Sequence, residues 1–290
     1  MSVQDSPVHD PAPLGVFDSG LGGLTVVHAL RESCPSEDIV YLGDTARVPY
    51  GTRSAQTVIR YARGCAAELT ARGVKALVIA CNTVSAVAVE VLRAELDIQV
   101  IGVVQPGASA AVEAALREAA RTGGPPPRIG VLGTQGTINS GAYARAVSMA
   151  STRLEVLGKA APLLVPLVEE GWLEGQVPEL AVERYVGELL EQGAGVLVLG
   201  CTHYPLLRPI VERVAERLAG HPIPVVDSAA AASVTVGEML REGRIRPAPT
   251  SRRGQLELLV TDLPGGFQRV ADLFLGEHTP EAKQIDLTMG

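Results

Sequence analysis

The chain has 290 residues, 47% of them hydrophobic and 20% charged, a composition that excludes wholesale disorder and allows a sizeable core. Its net charge of −7 argues against nucleic acid and against an anionic membrane surface as partners, because both require a basic face. No apolar run reaches the about 18 residues of a membrane span, and the polar first residues lack the apolar core of a secretory signal. Four cysteines without a C-x-x-C pair indicate reduced thiols, so we expect a cytoplasmic protein.

Short aliphatic runs alternate with longer amphipathic stretches along the chain. The aliphatic runs predict buried strands at residues 14–17, 39–42, 76–80, 100–104, 129–132, 154–157, 196–199, 224–226 and 256–260. The amphipathic stretches predict helices at residues 55–71, 85–96, 107–120, 178–192 and 206–219. Loops rich in Pro, Gly and Arg are predicted as surface connectors at residues 121–128 and 244–254. Apolar strands separated by helices are typical of a parallel α/β sheet that is covered on both faces.

The two halves of the chain resemble each other. The similar segments are residues 14–20 with 129–135, and residues 74–83 with 194–203. We therefore expect an α/β protein with two similar, pseudo-symmetric domains, each a mostly parallel sheet flanked by helices. Ligands of such sheets sit beyond the carboxyl ends of the strands. If the two halves face each other, Cys81 and Cys201 face each other too.

Two cysteines follow predicted strands and precede small polar residues, in the runs Cys81-Asn82-Thr83 and Cys201-Thr202-His203. At a helix N-terminus the dipole favours the thiolate, so we expect Cys81 to have a lowered pKa, and the N–H groups that follow can hold a carboxylate. Each cysteine alone could be a small buried hydrophobe, and His203 alone a structural histidine. Two such cysteines at equivalent strand ends are hard to explain by packing, whereas Cys34 and Cys65 lack this context and are expected to be inert.

Other polar candidates lie in loops. Asp18 and Ser19 open a glycine-rich loop without a G-x-G-x-x-G or P-loop pattern, and they could meet an ammonium group or a thiol, or cap the next helix. The remaining candidates have an ordinary turn, surface or helix-start role as the alternative; they are Tyr50, Gly51, Thr134, Thr137 and Glu169. The lysines lack a Schiff-base context and the histidines lack metal-ligand spacing, so we expect no cofactor and no metal.

Six motifs follow one another along the chain. They are D-S-G-x-G-G from Asp18, G-D-T-A-R-x-P-Y-G from Gly43, A-C-N-T from Ala80, G-T-x-x-T from Gly133, V-P-L-V-E-x-G from Val165 and G-C-T-H-Y-P from Gly200. Together they resemble the aspartate/glutamate racemase family over about residues 14–275. His203 stands where the aspartate-specific relatives typically have glutamate, which favours glutamate as the substrate.

The resemblance implies a cofactor-independent 1,1-proton transfer that interconverts L- and D-glutamate and supplies D-glutamate for peptidoglycan synthesis. It implies Cys81 and Cys201 as the acid/base pair, Asp18 and His203 as assisting residues, and Glu169 as a third helper. Substrate contacts are implied for Asp18, Ser19, Tyr50, Gly51, Asn82, Thr83, Thr134, Thr137, Thr202 and His203. The resemblance also implies two α/β domains with the active site in the cleft between them. The first domain would comprise residues 1–104 and 224–290 and the second residues 105–223, and homodimers are common in the family.

Other functions stay open at this point. One is a racemase of the same family that acts on aspartate or another amino acid. Another is a Cys-His amidohydrolase that uses Cys201 and His203, although side chains so close in sequence are expected to point in different directions and Cys81 would have no role. The last is a non-catalytic, two-lobed amino-acid binding module.

Overall fold

The computed structural model describes residues 9–250, 252–263 and 265–287. Residues 1–8, where no secretory signal is expected, lie outside the described residues, as do Ser251 in a predicted loop, Pro264 and residues 288–290. None of the helices in the described ranges has the length and apolar character needed to cross a membrane.

Strands and helices alternate as predicted. The strands are β1 (Leu14–Asp18), β2 (Ile39–Gly43), β3 (Ala76–Ile79), β4 (Gln99–Gly102), β5 (Arg128–Gly133), β6 (Val156–Ala160), β7 (Ala194–Gly200), β8 (Val225–Asp227), β9 (Leu256–Val260) and β10 (Ala282–Gln284). The helices are α1 (Leu24–Ser33), α2 (Ala55–Ala71), α3 (Asn82–Glu95), α4 (Val104–Thr122), α5 (Gln135–Asn139), α6 (Ala142–Ala150), α7 (Leu164–Glu169), α8 (Gln176–Glu191), α9 (Arg208–Ala219), α10 (Ser228–Arg241) and α11 (Phe267–Leu275). Short 3-10 turns are formed by Thr45–Arg47 and Tyr204–Leu207.

The strands form two parallel sheets with a shared topology. The first sheet has the order β10-β9-β2-β1-β3-β4 and the second has the order β6-β5-β7-β8. The order β2-β1-β3-β4 thus recurs as β6-β5-β7-β8, which confirms the predicted pair of similar α/β units. In each sheet the strand order reverses at one point, which is between β1 and β3 in the first sheet and between β5 and β7 in the second. A crevice opens at the carboxyl ends of the strands at each of these switch points.

Aliphatic side chains fill the space between the sheets and the helices. On the first sheet, Leu14 and Val16 face the side covered by α1, while Phe17 faces the side covered by α2 and α3. On the second sheet, Ile129 and Val131 pack with α4 and α6. Each fully buried side chain of this kind stabilises the fold by about 1.5–3 kcal/mol relative to its exposed state. Successive side chains of β1 point to opposite faces and all of them are buried. Packing on both faces therefore fixes the position of Asp18 at the carboxyl end of this strand.

Several predicted limits differ from the observed ones. Strand β8 pairs with β7 and so belongs to the second sheet; the domain limits stay a prediction. Strand β4 ends at Gly102, and Val104 already begins α4, because an apolar first helical turn looks like the end of a buried strand. Strand β6 begins at Val156, later than predicted, and Leu154 is buried outside it.

Candidate active site

Both crevices open onto one cavity of about 380 Å³ between the two sheets. Cys81 follows β3 and Cys201 follows β7, so each thiol comes from the carboxyl end of the strand that borders its crevice. Both line the cavity, which is the juxtaposition expected from the repeat. The other predicted site residues on its walls are Ser19, Tyr50, Gly51, Asn82, Thr83, Thr134, Glu169, Thr202 and His203. Asp18 and Thr137 are not on the walls and are both 1% exposed.

Cys81 lies in a buried site beside a carboxyl group. It is the N-cap residue of α3, and its Sγ lies 3.5 Å from Ser19 Oγ. Burial and the neighbouring Asp18 raise the pKa of the Cys81 thiol to about 12. The predicted lowering of this pKa is therefore wrong, because removal from water and a nearby negative group outweigh the helix dipole. The thiol form is the stable one here, which suits a proton donor.

Asp18 is the last residue of β1 and lies beneath the cavity wall. Its Oδ2 accepts a hydrogen bond from Gly20 N at 3.1 Å. Burial raises the pKa of the Asp18 carboxyl, although His203 and the loop N–H groups oppose the shift. The loop can pack this tightly because a Cβ at residue 23 would lie 2.5 Å from Asp18 Cβ, a distance that real Cβ atoms do not reach. Gly23 is thus required by close approach.

Cys201 lies beside a histidine rather than an aspartate. Its Sγ is 3.8 Å from His203 Nδ1, and His203 Nε2 is 3.1 Å from Glu169 Oε1. The expectation that Cys201 and His203 point apart is therefore wrong. Burial alone would lower the pKa of His203, but hydrogen bonds to Cys201 and Glu169 outweigh it and raise that pKa to about 10. Glu169 ends α7 instead of starting a helix, and its side chain is 53% exposed.

Three threonines tie the two halves together at the edge of the cavity. Thr83 Oγ1 lies 2.8 Å from Thr134 Oγ1 and 3.3 Å from Thr137 Oγ1. Thr134 also caps α5 through a 3.2 Å bond from Thr137 N. Gly136 N donates to Gly51 O at 2.8 Å, which is a further link between the halves. Thr137 thus acts from behind the wall, through Thr83 and Thr134.

Tyr50 lines the cavity, but its hydroxyl is bound to another residue. The hydroxyl donates to Asp44 Oδ2, which also accepts from Arg47 Nε at 2.6 Å. The other oxygen of Asp44 accepts from Thr261 Oγ1 at 2.9 Å. Asp44 is fully buried, and burial raises the pKa of Tyr50 well above its usual range. The Tyr50 hydroxyl is therefore engaged in holding the loop that carries Gly51.

Two residues at the site were not among the predicted ones. Thr25, in the first turn of α1, donates through Oγ1 to Thr202 O at 3.0 Å. Phe274 of α11 packs against the edge of the His203 ring, with 4.9 Å between the ring centroids. Both connect the first sheet's helices to the loop after β7. No motif marks them, since a threonine and a phenylalanine on amphipathic helices look like ordinary core residues.

Comparisons with known proteins find similar sequences and a similar structure. A family model described as Asp/Glu/Hydantoin racemase matches residues 24–236. A glutamate racemase of Geobacter metallireducens is 46% identical over 94% of this chain and 96% of its own length. A glutamate racemase of Aquifex aeolicus is 45% identical over 91% of this chain and 94% of its own length. The crystal structure of a glutamate racemase from Francisella tularensis in complex with D-glutamate superposes with a TM-score of 0.84 at 33% identity, covering 95% of this chain and 98% of that chain.

Proposed function

The chain belongs to the Asp/Glu/Hydantoin racemase family and is an amino-acid racemase, and from this premise we propose that it interconverts L- and D-glutamate. The relatives named above are glutamate racemases, and one of them holds D-glutamate. The observation that carries the proposal is that Cys81 and Cys201 come from opposite crevices and line one cavity. Inversion of a stereocentre needs a base on one face of the α-carbon and an acid on the other, and two thiols supply both.

The proposed reaction is a direct proton transfer without a cofactor. One cysteine removes the α-proton as a thiolate, and the other delivers a proton to the opposite face as a thiol. The α-proton is weakly acidic and a thiolate is a weak base for it, so the carbanion must be stabilised by its surroundings. The N–H groups of Asn82 and Thr83, in the first turn of α3, have no acceptor within that helix and suit the substrate carboxylate.

Each thiol has its own assisting residues in this proposal. Cys81 removes the α-proton of D-glutamate, and the neighbouring Asp18 carboxyl, whose pKa is raised, assists by exchanging a proton with this thiol. Cys201 takes it from L-glutamate, and His203 exchanges a proton with this thiol across 3.8 Å. Glu169 holds the far side of the imidazole. The assignment to faces follows the family resemblance, and the contacts of each thiol support two different helpers.

The proposed substrate contacts lie on both walls of the cavity. They are Ser19, Gly51, Asn82, Thr83, Thr202 and His203, with Asp18 behind Cys81. Thr134 and Thr137 support Thr83, and Tyr50 lines the cavity. The proposal further includes a cytoplasmic enzyme that supplies D-glutamate for peptidoglycan synthesis, a division into residues 1–104 plus 224–290 and residues 105–223, and a homodimer.

One experiment tests the reaction. The protein is incubated with L-glutamate in deuterated water, and α-deuteration and optical rotation are followed together, with a chelator and a carbonyl reagent present. We expect loss of optical rotation with deuterium at the α-carbon, and a much lower rate with aspartate. Binding without exchange, release of ammonia from an amide, or inhibition by either additive would contradict the proposal.

A further inference from the structure

A cluster of three polar side chains lies at the wall of the cleft and takes no part in the proton transfer described above. Asn82, the first residue of α3, is 2% exposed and lines the cavity. Its Nδ2 donates to the Tyr143 hydroxyl oxygen at 2.9 Å and to Ser228 Oγ at 3.2 Å. Tyr143 lies in α6 and Ser228 begins α10, so the cluster joins three distant segments of the chain.

Ser228 determines which end of the Asn82 amide faces it. A serine hydroxyl has a single proton, and Ser228 donates this proton to Leu199 O at 2.9 Å. The Ser228 oxygen is then only an acceptor, so the amide atom facing it must be the nitrogen. Tyr143 is less selective, because its hydroxyl can donate to an amide oxygen or accept from an amide nitrogen.

The orientation of the amide leaves Asn82 Oδ1 available. This atom is buried and accepts no hydrogen bond from the residues that the structure describes. A buried carbonyl oxygen without a partner destabilises a protein, and such groups are retained where a ligand or function uses them. Since Asn82 lines the cleft, its oxygen is an acceptor of the kind that an ammonium group requires.

We propose that Ser228 and Tyr143 are positioning residues that hold Asn82 Oδ1 toward the cleft, where it accepts a hydrogen bond from the α-ammonium group of the substrate. The inference rests on the proposed function for the identity of that substrate. Gly107 of α4 makes room for the cluster, because a Cβ at residue 107 would lie 3.1 Å from Ser228 Cβ and 3.3 Å from the Tyr143 hydroxyl oxygen. The small residue lets α4 approach both partners of Asn82.

The test compares glutamate with glutarate, the same dicarboxylate without its ammonium group. In Ser228→Ala, we expect the KM for both enantiomers of glutamate to rise about tenfold, the scale of one lost hydrogen bond. The Ki of glutarate as a competitive inhibitor should stay within about twofold, because it never used the amide oxygen. Tyr143→Phe should change the glutamate KM in the same direction by less, about threefold. Ser228→Thr, which keeps a hydroxyl, should restore much of the loss.

Ser233→Ala is the matched control. Ser233 is a buried serine on the same helix, and its hydroxyl donates to Ala230 O at 2.9 Å instead of serving Asn82. It should leave both constants unchanged. Equal increases in the glutamate KM and the glutarate Ki in Ser228→Ala, or no change in either, would overturn the proposal; Tyr143→Phe supplies the same comparison if Ser228→Ala does not fold. Failure of the proposed function is distinct, since the wild-type enzyme would then not racemise glutamate.

Discussion

Cys81 and Cys201 occupy the same topological position in two similar sheets, yet their surroundings differ in charge and in hydrogen bonding. Cys81 caps a full helix, touches Ser19 and lies near the buried Asp18. Cys201 precedes a 3-10 turn and contacts His203, which Glu169 holds from the other side. The repeated topology therefore determines the positions of the two thiols. Their charged and hydrogen-bonding neighbours differ, because these neighbours come from segments that the repeat does not share.

The sharpest way to separate the two thiols is to remove them one at a time. Cys81→Ser and Cys201→Ser should each lower racemisation by about 10³-fold, because general acid–base catalysis contributes about 10²–10⁴-fold and a serine hydroxyl is a far weaker acid. In deuterated water, Cys201→Ser should still exchange the α-hydrogen of D-glutamate, and Cys81→Ser that of L-glutamate. Proton NMR and polarimetry measure both.

The two possible failures of this prediction have different meanings. Exchange on the opposite enantiomers would reverse the assignment of Cys81 and Cys201 to faces while keeping two bases. Racemisation near the wild-type rate in either variant would remove the two-base mechanism itself. Thermal melting of each variant checks that the fold is retained.

The contact between the two halves can be broken by one methyl group. A Cβ at residue 22 would lie 2.4 Å from Thr202 Oγ1 and 2.6 Å from His203 Nδ1, so Gly22→Ala must displace the histidine. Since His203 is a proposed catalytic residue, we expect kcat/KM to fall about 100-fold, the scale of a small misplacement of a reacting group. Gly64→Ala is the control, because nothing lies within 4 Å of its Cβ; it should keep full activity and stabilise α2 by about 0.5–1 kcal/mol. A Gly22→Ala enzyme with normal kcat/KM would contradict the prediction.

The charge beside Cys201 can be tuned without touching Cys81. Glu169→Gln removes an opposite charge from His203 and should lower its pKa, which is about 10, by about one unit. NMR titration of the imidazole measures this shift, with the exposed neighbour variant Glu170→Gln as the control. Because the folded-state pKa is raised, protonated His203 stabilises the fold below the unfolded pKa of about 6.5, and this stabilisation is lost as the pH rises toward 10. An unchanged titration in Glu169→Gln would show that the Glu169 carboxylate does not affect the pKa of His203.

The smallest effects are expected at the cysteines outside the cleft. Cys34 and Cys65 are buried in the helical layers, at 7% and 0% exposure. Cys34→Ala and Cys65→Ala should each cost about 1 kcal/mol of stability and leave kcat and KM unchanged. Steady-state kinetics measures kcat and KM, and chemical denaturation measures the free energy of unfolding. A variant with normal stability but lost activity would contradict the prediction that this thiol is inert.

The position of the two thiols follows from the sequence, but their electrostatics do not. The aliphatic runs that end at Ala80 and Leu199 predict the strand ends within one residue of the observed ones, Ile79 and Gly200. The positions of Cys81 and Cys201 at strand ends therefore follow from the local pattern. The pKa of Cys81 depends instead on burial and on Asp18, which belongs to another strand. Neither can be predicted from the sequence around Cys81.

Tertiary partners explain the other differences. Tyr50 looks like a cavity residue in its motif, but in the folded loop its hydroxyl donates to Asp44. Thr25 of α1 and Phe274 of α11 each contact the loop after β7. Helical periodicity does not reveal such contacts between distant segments of the chain. The same reason hides the partners of Asn82.

The unequal surroundings of Cys81 and Cys201 cannot favour one enantiomer at equilibrium. Mirror-image molecules have equal free energies in water, so a racemase must have the same kcat/KM in both directions. Whatever His203 adds to the rate of one direction must then be matched by a proportional difference in KM. The asymmetry of the cleft thus decides which enantiomer occupies the enzyme longer, and a net flow toward either one has to be drawn by a later reaction that consumes it.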